Sequence, residues 1–376
     1  MAGKTAVKKV KDKPKDKLRV GIIGTGGIAH AHMKAYLQQK DIEFIGASDI
    51  VLGKARKFLD EFELFDVPAF DDNKELIALK PDGVSICTYN TTHHICAVAC
   101  LDAGINVLCE KPMSVTLEQA VQMARAQKKS GKILTIGFQP RYDDNMRMVK
   151  QIVRSGELGD IYYVQTGGGR RRGIPGGTFI DKELAGVGCL ADIGCYGLDM
   201  ALNSVGYRKP VTVSAFASDL FGKNPVYSPD AEKFSVDDFT VALIRFEDGL
   251  VMDFRMSWAM HMDTMGDTLF LGTKAGLKVK SWNPKANWGG AWDGTIGDVF
   301  LYTDLCGNQV ETQIPIKGWT QSDNFAAKVR DFLDAVKNGG PSPIPWQEII
   351  YNQAIIDGII RSSEQKREVA VNVPEI

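Results

Sequence analysis

The sequence predicts an α/β fold of two domains: a doubly wound parallel sheet of the Rossmann type, then an α+β domain with an open, mostly antiparallel sheet. Three observations lead to this prediction. A chain of 376 residues is long enough for two domains. Segments typical of strands and helices alternate up to about residue 138, as in a parallel sheet covered on both faces. Beyond that point apolar and polar residues alternate with a period of two, which indicates an antiparallel sheet with one covered face.

The first domain is predicted to span residues 18–138. Its short apolar runs are predicted strands, over 18–23, 42–48, 83–88, 106–109 and 133–138. The segments between them are predicted helices, over 28–39, 52–62, 92–103 and 117–130. Gly104 and Gly131 follow the last two of these helices, where a glycine favours a helix end.

The second domain is predicted to span residues 139–376, for substrate binding and oligomerisation. It begins with a helix over 145–155. Its predicted strands cover 161–166, 211–217, 239–246, 250–258, 268–272 and 310–315. Two helices, over 325–336 and 349–362, are expected to close the chain. The Lys-rich residues 1–17 are predicted to be a disordered lead-in, because acidic residues interrupt their positive charge.

Charge and composition indicate which partners the protein is expected to have and in which compartment it is expected to lie. The chain has 45 basic and 46 acidic residues, a balance that favours neither nucleic acid nor a membrane surface. It has no apolar run of about 18 residues, the length that spans a bilayer. The seven cysteines are an odd number, which predicts reduced thiols in a cytoplasmic protein. The five histidines lack the spacing of a zinc site, so no metal is expected.

A glycine loop, Gly24-Thr25-Gly26-Gly27-Ile28-Ala29, follows the first predicted strand and opens a helix. Gly24 suits a tight turn, Gly26 lets the backbone approach a pyrophosphate, and Ala29 allows close packing of helix on strand. The helix start then offers N–H donors to the phosphates. The alternative interpretation is a purely structural turn.

Asp49 strengthens the prediction of a dinucleotide site. It lies 23 residues after Gly26, at the end of the second predicted strand. A carboxylate there can accept hydrogen bonds from the adenosine ribose and would repel a 2′-phosphate, so NAD is favoured over NADP. The alternative is that Asp49 caps the next helix.

Glu110-Lys111-Pro112 lies at the carboxyl end of another predicted parallel strand, the edge where ligands bind. Lys111 could place its ammonium near a substrate hydroxyl and the nicotinamide, and Pro112 allows a cis peptide bond. The alternative for Lys111 is a surface salt bridge.

Two loops of the second domain carry candidate substrate contacts. The run Arg170-Arg171-Arg172 could clamp hydroxyls or a carboxylate through paired hydrogen bonds. Trp288, in a loop rich in glycine and tryptophan, could stack on a sugar. The alternatives are a solvated charge run and interface packing. His261 could reach the cleft, although a surface position is the simpler interpretation.

Several segments together resemble one family, the Gfo/Idh/MocA (glucose-fructose oxidoreductase / inositol dehydrogenase) oxidoreductases. The resemblance extends from about residue 18 onward. It implies a Rossmann domain with a second open-sheet domain that is often used for oligomerisation. It also implies NAD(P)-dependent chemistry at hydroxyls of sugars or cyclitols. The segments that carry it are Gly24–Ala29, Cys87–His93, Ala103–Pro112, Gly137–Tyr142 and Gly188–Tyr196.

The resemblance assigns roles residue by residue. Lys111 matches the lysine that orients substrate and lowers its hydroxyl pKa, and Asp192 matches a substrate-binding or proton-relay aspartate. Tyr196 stands where most members have a catalytic histidine. A phenol beside Lys111 is expected to have a lowered pKa and to act as base; the alternative is a substrate contact or core residue. The positions that match the family's nicotinamide side are Thr88, Asn90, His93 and Gln139. Glu110 and Lys111 are also predicted to bind the cofactor.

These observations predict an oxidoreductase that transfers hydride between NAD and a secondary hydroxyl of a sugar or glycoside. The cofactor could be held tightly and recycled between two substrates. The resemblance favours a homodimer or homotetramer formed through the C-terminal sheet. The alternatives are a dihydrodiol-type or cyclitol dehydrogenase and, in another class, a non-catalytic NAD-binding regulator.

Overall fold

The structure is a computed structural model that describes residues 17–262, 265–281, 289–290, 296–316 and 321–376. Two predictions fall outside these ranges. One is the disordered lead-in, of which only Lys17 is described, and the other is substrate stacking by Trp288.

The first domain contains a six-stranded parallel sheet with the strand order β3-β2-β1-β4-β5-β6. This is the order of a doubly wound dinucleotide-binding fold, so the predicted Rossmann architecture is confirmed. The short strand β3 was not predicted. The strands are β1 (Leu18–Ile23), β2 (Ile42–Ser48), β3 (Ala69–Phe70), β4 (Gly83–Ile86), β5 (Asn106–Cys109) and β6 (Leu134–Ile136).

Helices cover both faces of this sheet, and local residues explain where they begin and end. The Thr116 hydroxyl accepts a hydrogen bond from the Gln119 N–H and caps the last of them, which ends at Gly131 in the left-handed conformation (φ 64°). The helices are α1 (Gly27–Leu37), α2 (Lys54–Asp60), α3 (Asn73–Ala78), α4 (His93–Asp102) and α5 (Leu117–Ser130).

The second domain is built on a ten-stranded sheet that is antiparallel except where β10 runs parallel to β7. Its order is β15-β14-β12-β11-β7-β10-β9-β8-β16, and β13 also pairs with β7. The predicted open, mostly antiparallel sheet is therefore confirmed. The strands are β7 (Ile161–Gly169), β8 (Pro210–Ser218), β9 (Phe239–Phe246), β10 (Val251–Ser257), β11 (Thr268–Gly272), β12 (Gly276–Ser281), β13 (Gly289–Gly290), β14 (Ile296–Leu305), β15 (Asn308–Ile314) and β16 (Val369–Ala370).

Helices pack on one face of the second sheet. The period of two is visible in β10, where Met252, Phe254 and Met256 are buried on the covered face. The helices that follow β6 in the chain are α6 (Asp144–Arg154), α7 (Lys182–Ala185), α8 (Cys189–Asp192), α9 (Gly194–Val205), α10 (Gln321–Asn338) and α11 (Trp346–Gln365), of which α10 does not pack on this sheet.

Helix α10 packs in the core of the first domain, although its position in the sequence predicted the second domain. Its buried residues Phe325, Val329 and Phe332 join the core formed by β1 and α1. The physical reason is that an apolar helix face is stabilised by whichever sheet it covers, and sequence position does not decide that. The chain therefore returns to the cofactor domain near its end.

All seven cysteines are unpaired, as predicted, and only Cys306 is exposed. Within the described ranges no single helix has both the length and the apolar character to cross a membrane. Two segments separated by a bend, Lys182–Asp192 and Gly194–Val205, have the necessary length and apolar character only when they are taken together.

Candidate active site

The glycine loop after β1 forms an open cradle at the start of α1. Gly24 has a φ of +85°, and a Cβ there would lie 2.7 Å from the carbonyl carbon of Cys87, so no larger residue fits. A Cβ on Gly26 or Gly27 would have no atom within 4 Å. Gly26 is the N-cap of α1 and provides no side-chain cap, which leaves backbone N–H groups available to an anion. The cradle fits a pyrophosphate.

Asp49 follows β2 and faces this loop. Its carboxylate accepts hydrogen bonds from the Thr25 N–H (2.8 Å), the Thr25 hydroxyl (2.9 Å) and the Val51 N–H (3.0 Å). Lys54 Nζ lies 3.1 Å away. Burial raises the pKa of Asp49, but these donors outweigh it, so the pKa lies below its usual value and the group is ionised. A fixed negative charge therefore lines the cofactor side of the loop.

A cavity of about 420 Å³ lies between this loop, Asp49 and the residues that follow β4. It includes Thr88, one of the predicted cofactor contacts. Two of its wall residues, Thr178 and Phe179, belong to the second domain. They lie in a single turn of 3₁₀ helix, Gly177–Ile180. The cofactor cavity is therefore closed in part by the second domain.

Asn90 and Thr91 join the two domains beside this cavity. The Asn90 amide donates to the carbonyl of Ala185 and the Thr91 hydroxyl donates to that of Leu184, each at 3.1 Å. His93 is buried, and its Nδ1 lies 2.8 Å from the Pro112 carbonyl. The side chains of Asn90 and His93 thus bind protein backbone. They would affect cofactor binding indirectly, by fixing the loop after β4.

Lys111 follows β5 and reaches the second domain. The Lys111–Pro112 peptide bond is cis, as the sequence analysis had allowed. Lys111 Nζ donates to the backbone carbonyl of Asp192 at 2.6 Å and lies 3.2 Å from its carboxylate. It also lies 4.8 Å from the centroid of the Tyr196 ring. The structure thus brings Lys111, Asp192 and Tyr196 together from segments more than 80 residues apart.

Two further side chains complete this cluster. Gln139 donates to the Tyr196 hydroxyl at 2.7 Å. Trp258, at the end of β10, donates from Nε1 to the Asp192 carboxylate at 3.2 Å. Trp258 was missed in the sequence analysis, since nothing in its local pattern distinguishes it from a core tryptophan. Asp192 is therefore held by two donors, one from each domain.

The electrostatics of Tyr196 correct the sequence-based expectation. Its pKa was expected to be lowered by Lys111. Burial, the largest influence, raises the pKa of Tyr196 well above its usual value, and the ammonium only partly offsets this. Burial also lowers the pKa of Lys111, but nearby negative charge, that of the Asp192 carboxylate included, outweighs that effect and raises it overall. The resting site thus holds a neutral phenol beside a permanent ammonium.

The candidate substrate arginines have local partners. Arg170 donates to the Gly173 carbonyl at 3.0 Å. The Arg172 guanidinium lies 4.7 Å from the ring centroid of Tyr227, and its Nη2 lies 3.2 Å from His261 Nδ1. A substrate role for either arginine stays a prediction.

Glu110, a predicted cofactor contact, does not line the 420 Å³ cavity, and its role toward the cofactor stays a prediction. It is 3 % exposed, and its carboxylate contacts His32 and Lys328. Neither partner was predicted. Lys328 shows a signal in hindsight, because it shares the helical spacing of buried Phe325 and Phe332. The described residues contain no group of three or more His, Cys, Asp or Glu side chains that could hold a metal.

A nucleotide cradle that faces a lysine, a carboxylate and a phenol across two domains defines a dinucleotide-dependent oxidoreductase. Comparison with known protein families supports this class of enzyme. Residues 18–138 match the model of the GFO_IDH_MocA oxidoreductase family with an NAD-binding Rossmann fold. Residues 146–278 match the GFO/IDH/MocA C-terminal domain. The chain belongs to the Gfo/Idh/MocA family.

Individual relatives extend this result. The D-glucoside 3-dehydrogenase of Escherichia coli K12 is 33 % identical over 271 residues, which cover 70 % of this chain and 77 % of that protein. The scyllo-inositol 2-dehydrogenase (NADP(+)) of Bacillus subtilis is 23 % identical, covering 94 % of this chain and 96 % of its own. Levoglucosan dehydrogenase in complex with NADH and levoglucosan has the same fold, with a TM-score of 0.78 at 22 % identity. The match covers 94 % of this chain and 99 % of that one.

Proposed function

We propose that this protein is an NAD-dependent dehydrogenase that oxidises a ring hydroxyl of a sugar or glycoside to a ketone, or catalyses the reverse reaction. The observation that carries the proposal is the cluster of Lys111, Asp192 and Tyr196 at the junction of the two domains. Similarity to a D-glucoside 3-dehydrogenase over most of the chain supports a glycoside as substrate.

The bound nicotinamide would accept or return the hydride. Tyr196 would exchange the hydroxyl proton, since its phenol lies at the centre of the cluster. In the reductive direction the neutral phenol is already the required acid. In the oxidative direction its conjugate base is required, and Lys111 stabilises negative charge on both the phenol oxygen and the substrate oxygen.

Asp192 is assigned the task of orienting the substrate hydroxyls. Its carboxylate is held by Lys111 and Trp258, which fixes its position without extra rotamer freedom. Gln139 fixes the Tyr196 hydroxyl from the other side. The roles of all five residues are part of the proposal.

NAD is the proposed cofactor, in preference to NADP. The ionised Asp49 carboxylate lies at the cofactor cavity and would repel a 2′-phosphate. Lys54 is a competing influence, because its ammonium is also at the cavity and pairs with Asp49. A comparison of kcat/KM for NAD and NADP decides between them, and a preference for NADP would overturn the assignment.

The proposal also includes a cofactor that stays bound between turnovers. Phe179 closes one wall of the cavity from the second domain, and Asn90 and Thr91 tie that domain to the loop after β4. A dinucleotide enclosed in this way would leave slowly. A sugar-to-sugar exchange assay without added NAD tests the idea, and strict dependence on added NAD would contradict it.

A second candidate is a cyclitol dehydrogenase. The inositol 2-dehydrogenase of Salmonella typhimurium LT2 is 36 % identical over 145 residues, 38 % of this chain and 43 % of that protein. The chain thus matches less than half the length of that enzyme, and the match supports the cyclitol less than it supports the glycoside.

The proposal extends to assembly and location. The outer face of the second sheet carries exposed Phe216 beside Val241 and Leu243, a surface suited to a second copy in a homodimer or homotetramer. Six buried free thiols suit the reducing cytoplasm.

The decisive experiment is a substrate panel of glucosides, free sugars and inositols, followed by NADH formation and by the exchange assay. We expect the highest kcat/KM with a glycoside. Lys111→Met should abolish turnover, whereas Lys129→Met, at an exposed pair with Asp102, should leave it unchanged. No turnover in either assay with any sugar, glycoside or cyclitol would refute the proposal.

A further inference from the structure

A buried ionic cluster lies behind the turn that carries Lys111. The Glu110 carboxylate Oε1 accepts from Lys328 Nζ at 2.5 Å, and His32 Nε2 lies 2.7 Å from the same oxygen. The Lys328 side chain is 1 % exposed, and its ammonium lies 4.1 Å from the ring centroid of Phe325. A lysine so completely buried is rare and has a specific partner when it occurs.

The cluster joins three distant parts of the first domain. Lys328 comes from α10, His32 from α1, and Glu110 from the end of β5. His32 Nδ1 continues the chain of hydrogen bonds to the Ser85 hydroxyl at 3.0 Å, and the Tyr36 hydroxyl lies 2.8 Å from that same oxygen. The carboxylate is thus fixed against both the helix that begins at the phosphate cradle and the returning helix α10.

Gly137 packs closely against one side of the Glu110 carboxylate. A Cβ on Gly137 would lie 2.8 Å from Glu110 Oε1, so the neighbouring strand end approaches the carboxylate as closely as a glycine permits. On its other side, Glu110 Oε2 accepts from the backbone N–H of Lys111 at 3.3 Å. The carboxylate therefore connects the buried cluster directly to the backbone of Lys111.

Stability alone does not explain this arrangement. A buried ion pair often contributes no more than apolar residues of the same volume, because removing two charges from water offsets their attraction. What an ion pair provides and an apolar pair lacks is a carboxylate that stays ionised and can hold a backbone N–H. Lys328 is placed for this task, because its ammonium donates to Glu110 Oε1 at 2.5 Å.

We propose that Lys328 is a positioning residue, which keeps Glu110 ionised and so fixes the turn that presents Lys111 to the substrate. The inference rests on the proposed function. If Lys328 has this role, Lys111 stays in place at every pH in the neutral range. Titration of His32, which also contacts the Glu110 carboxylate, does not move it.

The charge states around Glu110 agree with this role. Burial raises the pKa of Glu110, but Lys328 and His32 outweigh it and keep the pKa well below its usual value. Burial and Lys328 both lower the pKa of His32, so the imidazole is neutral. The other titratable groups that face Glu110 are Lys111, which is cationic, and four groups left uncharged by burial: Cys87, Cys109, His93 and Tyr196.

The test replaces the ammonium with an apolar chain of similar length, Lys328→Met. His32 then becomes the proton donor that pairs with Glu110, and its pKa rises. We expect kcat to fall about 10-fold or more at pH 8, where the imidazolium is lost and Lys111 is displaced. The loss should be smaller at pH 6. Lys337→Met, on the same helix at an exposed pair with Asp41, is the matched control and should behave as the parent.

A second readout needs no substrate and therefore separates this inference from the proposed function. A group whose folded-state pKa is raised stabilises the fold at low pH and loses that contribution as pH rises through this pKa. The unfolding temperature of Lys328→Met should therefore fall, relative to the parent, between about pH 6 and pH 8. This comparison remains valid if no sugar is turned over.

A kcat and both pH profiles equal to those of the parent would overturn the inference, whatever the overall loss of stability. So would an equal loss of kcat at pH 6 and pH 8. If Lys328→Met does not fold, Glu110→Gln keeps the side-chain shape and removes the charge. We then expect a folded variant with kcat reduced about 10-fold, and an unchanged kcat would refute the proposal.

Discussion

The position of Tyr196 could be predicted from the sequence, but the direction of its pKa shift could not. The family motif identifies its position, and the nearby Lys111 suggests a lowered pKa. The structure places the phenol in a fully buried site, where the penalty for an anion exceeds the attraction of one ammonium. Burial depends on the packing of two domains, so the sequence could predict the contact and not the sign of the net shift.

Replacing Tyr196 with Phe tests its role as the proton-transfer group. The change removes one hydroxyl and its hydrogen bond with Gln139 and preserves the ring that packs at 5.9 Å from Phe138. We expect kcat to fall about 100-fold or more, with little change in NADH affinity measured by fluorescence titration. A kcat within twofold of the parent would assign proton transfer to another group.

The direction of the Tyr196 shift predicts a pH dependence. Below the raised pKa the phenolate fraction increases about tenfold per pH unit, so the rate of oxidation should rise continuously from pH 6 to pH 9. The rate of reduction, which uses the neutral phenol, should stay nearly constant over that range. Single-turnover rates measured in both directions provide the check. A plateau of the oxidation rate below about pH 8 would contradict a raised pKa.

Some of the other residues of the site could be predicted from the sequence, and some could not. Lys111 and Asp192 belong to contiguous motifs and were identified. His32 and Lys328 meet Glu110 from positions 78 and 218 residues away, and no local pattern encodes such a meeting. The buried contacts of Glu110 were not predicted for the same reason, because its partners come from two helices that are distant in sequence.

Elements with a clear period, or with a short apolar run between turn residues, were predicted well, and elements without either signal were not. The predicted strands β1 and β9 and the helix α5 have the observed bounds. Helix α9 was missed although it carries Tyr196. All twelve of its residues are buried, so it lacks the alternation of polar and apolar faces by which an amphipathic helix is identified.

The glycine loop allows a prediction at the scale of one turn. Gly24→Ala places a Cβ 2.7 Å from backbone at a positive φ, and we expect a loss of about 2 kcal/mol or more of unfolding free energy. Gly26→Ala meets no atom within 4 Å and has a φ of −78°, so the free protein should keep its stability. It should nevertheless lose NADH affinity, because the added methyl enters the phosphate cradle.

Thermal unfolding without ligand and NADH titration separate these two effects. Equal unfolding temperatures for the Gly24→Ala and Gly26→Ala variants would show that the turn tolerates a side chain. Unchanged NADH affinity in Gly26→Ala would show that the phosphates bind elsewhere.

At the scale of the whole molecule, the two domains meet at the cofactor cavity and at the cluster around Lys111. The alternation of strands and helices predicted the two architectures, and their boundary near residue 138 stays a prediction. The return of α10 to the first domain could not be predicted, because its apolar face would fit either sheet. Long-range packing of this kind depends on the complete fold.

The open face of the second sheet predicts the assembly. Phe216 is 55 % exposed on that face, and Phe216→Asp should convert a dimer or tetramer into smaller species by placing a charge in the interface. Phe65→Asp, at a residue 65 % exposed on the first domain, is the control and should leave the assembly unchanged. Light scattering of both variants is the measurement. A parent protein that is already monomeric would contradict the proposed assembly.

We propose that hydride transfer from a ring carbon of a glycoside takes place in the cleft at Lys111, Asp192 and Tyr196. The most direct test incubates the protein and NAD with a glucoside deuterated at its hydroxyl-bearing ring carbons, then measures the mass of the nicotinamide cofactor after denaturation. This detects the cofactor whether or not it is released. We expect deuterated NADH, with none formed by Lys111→Met. Unlabelled cofactor in the parent reaction, with every glucoside in the panel, would contradict it.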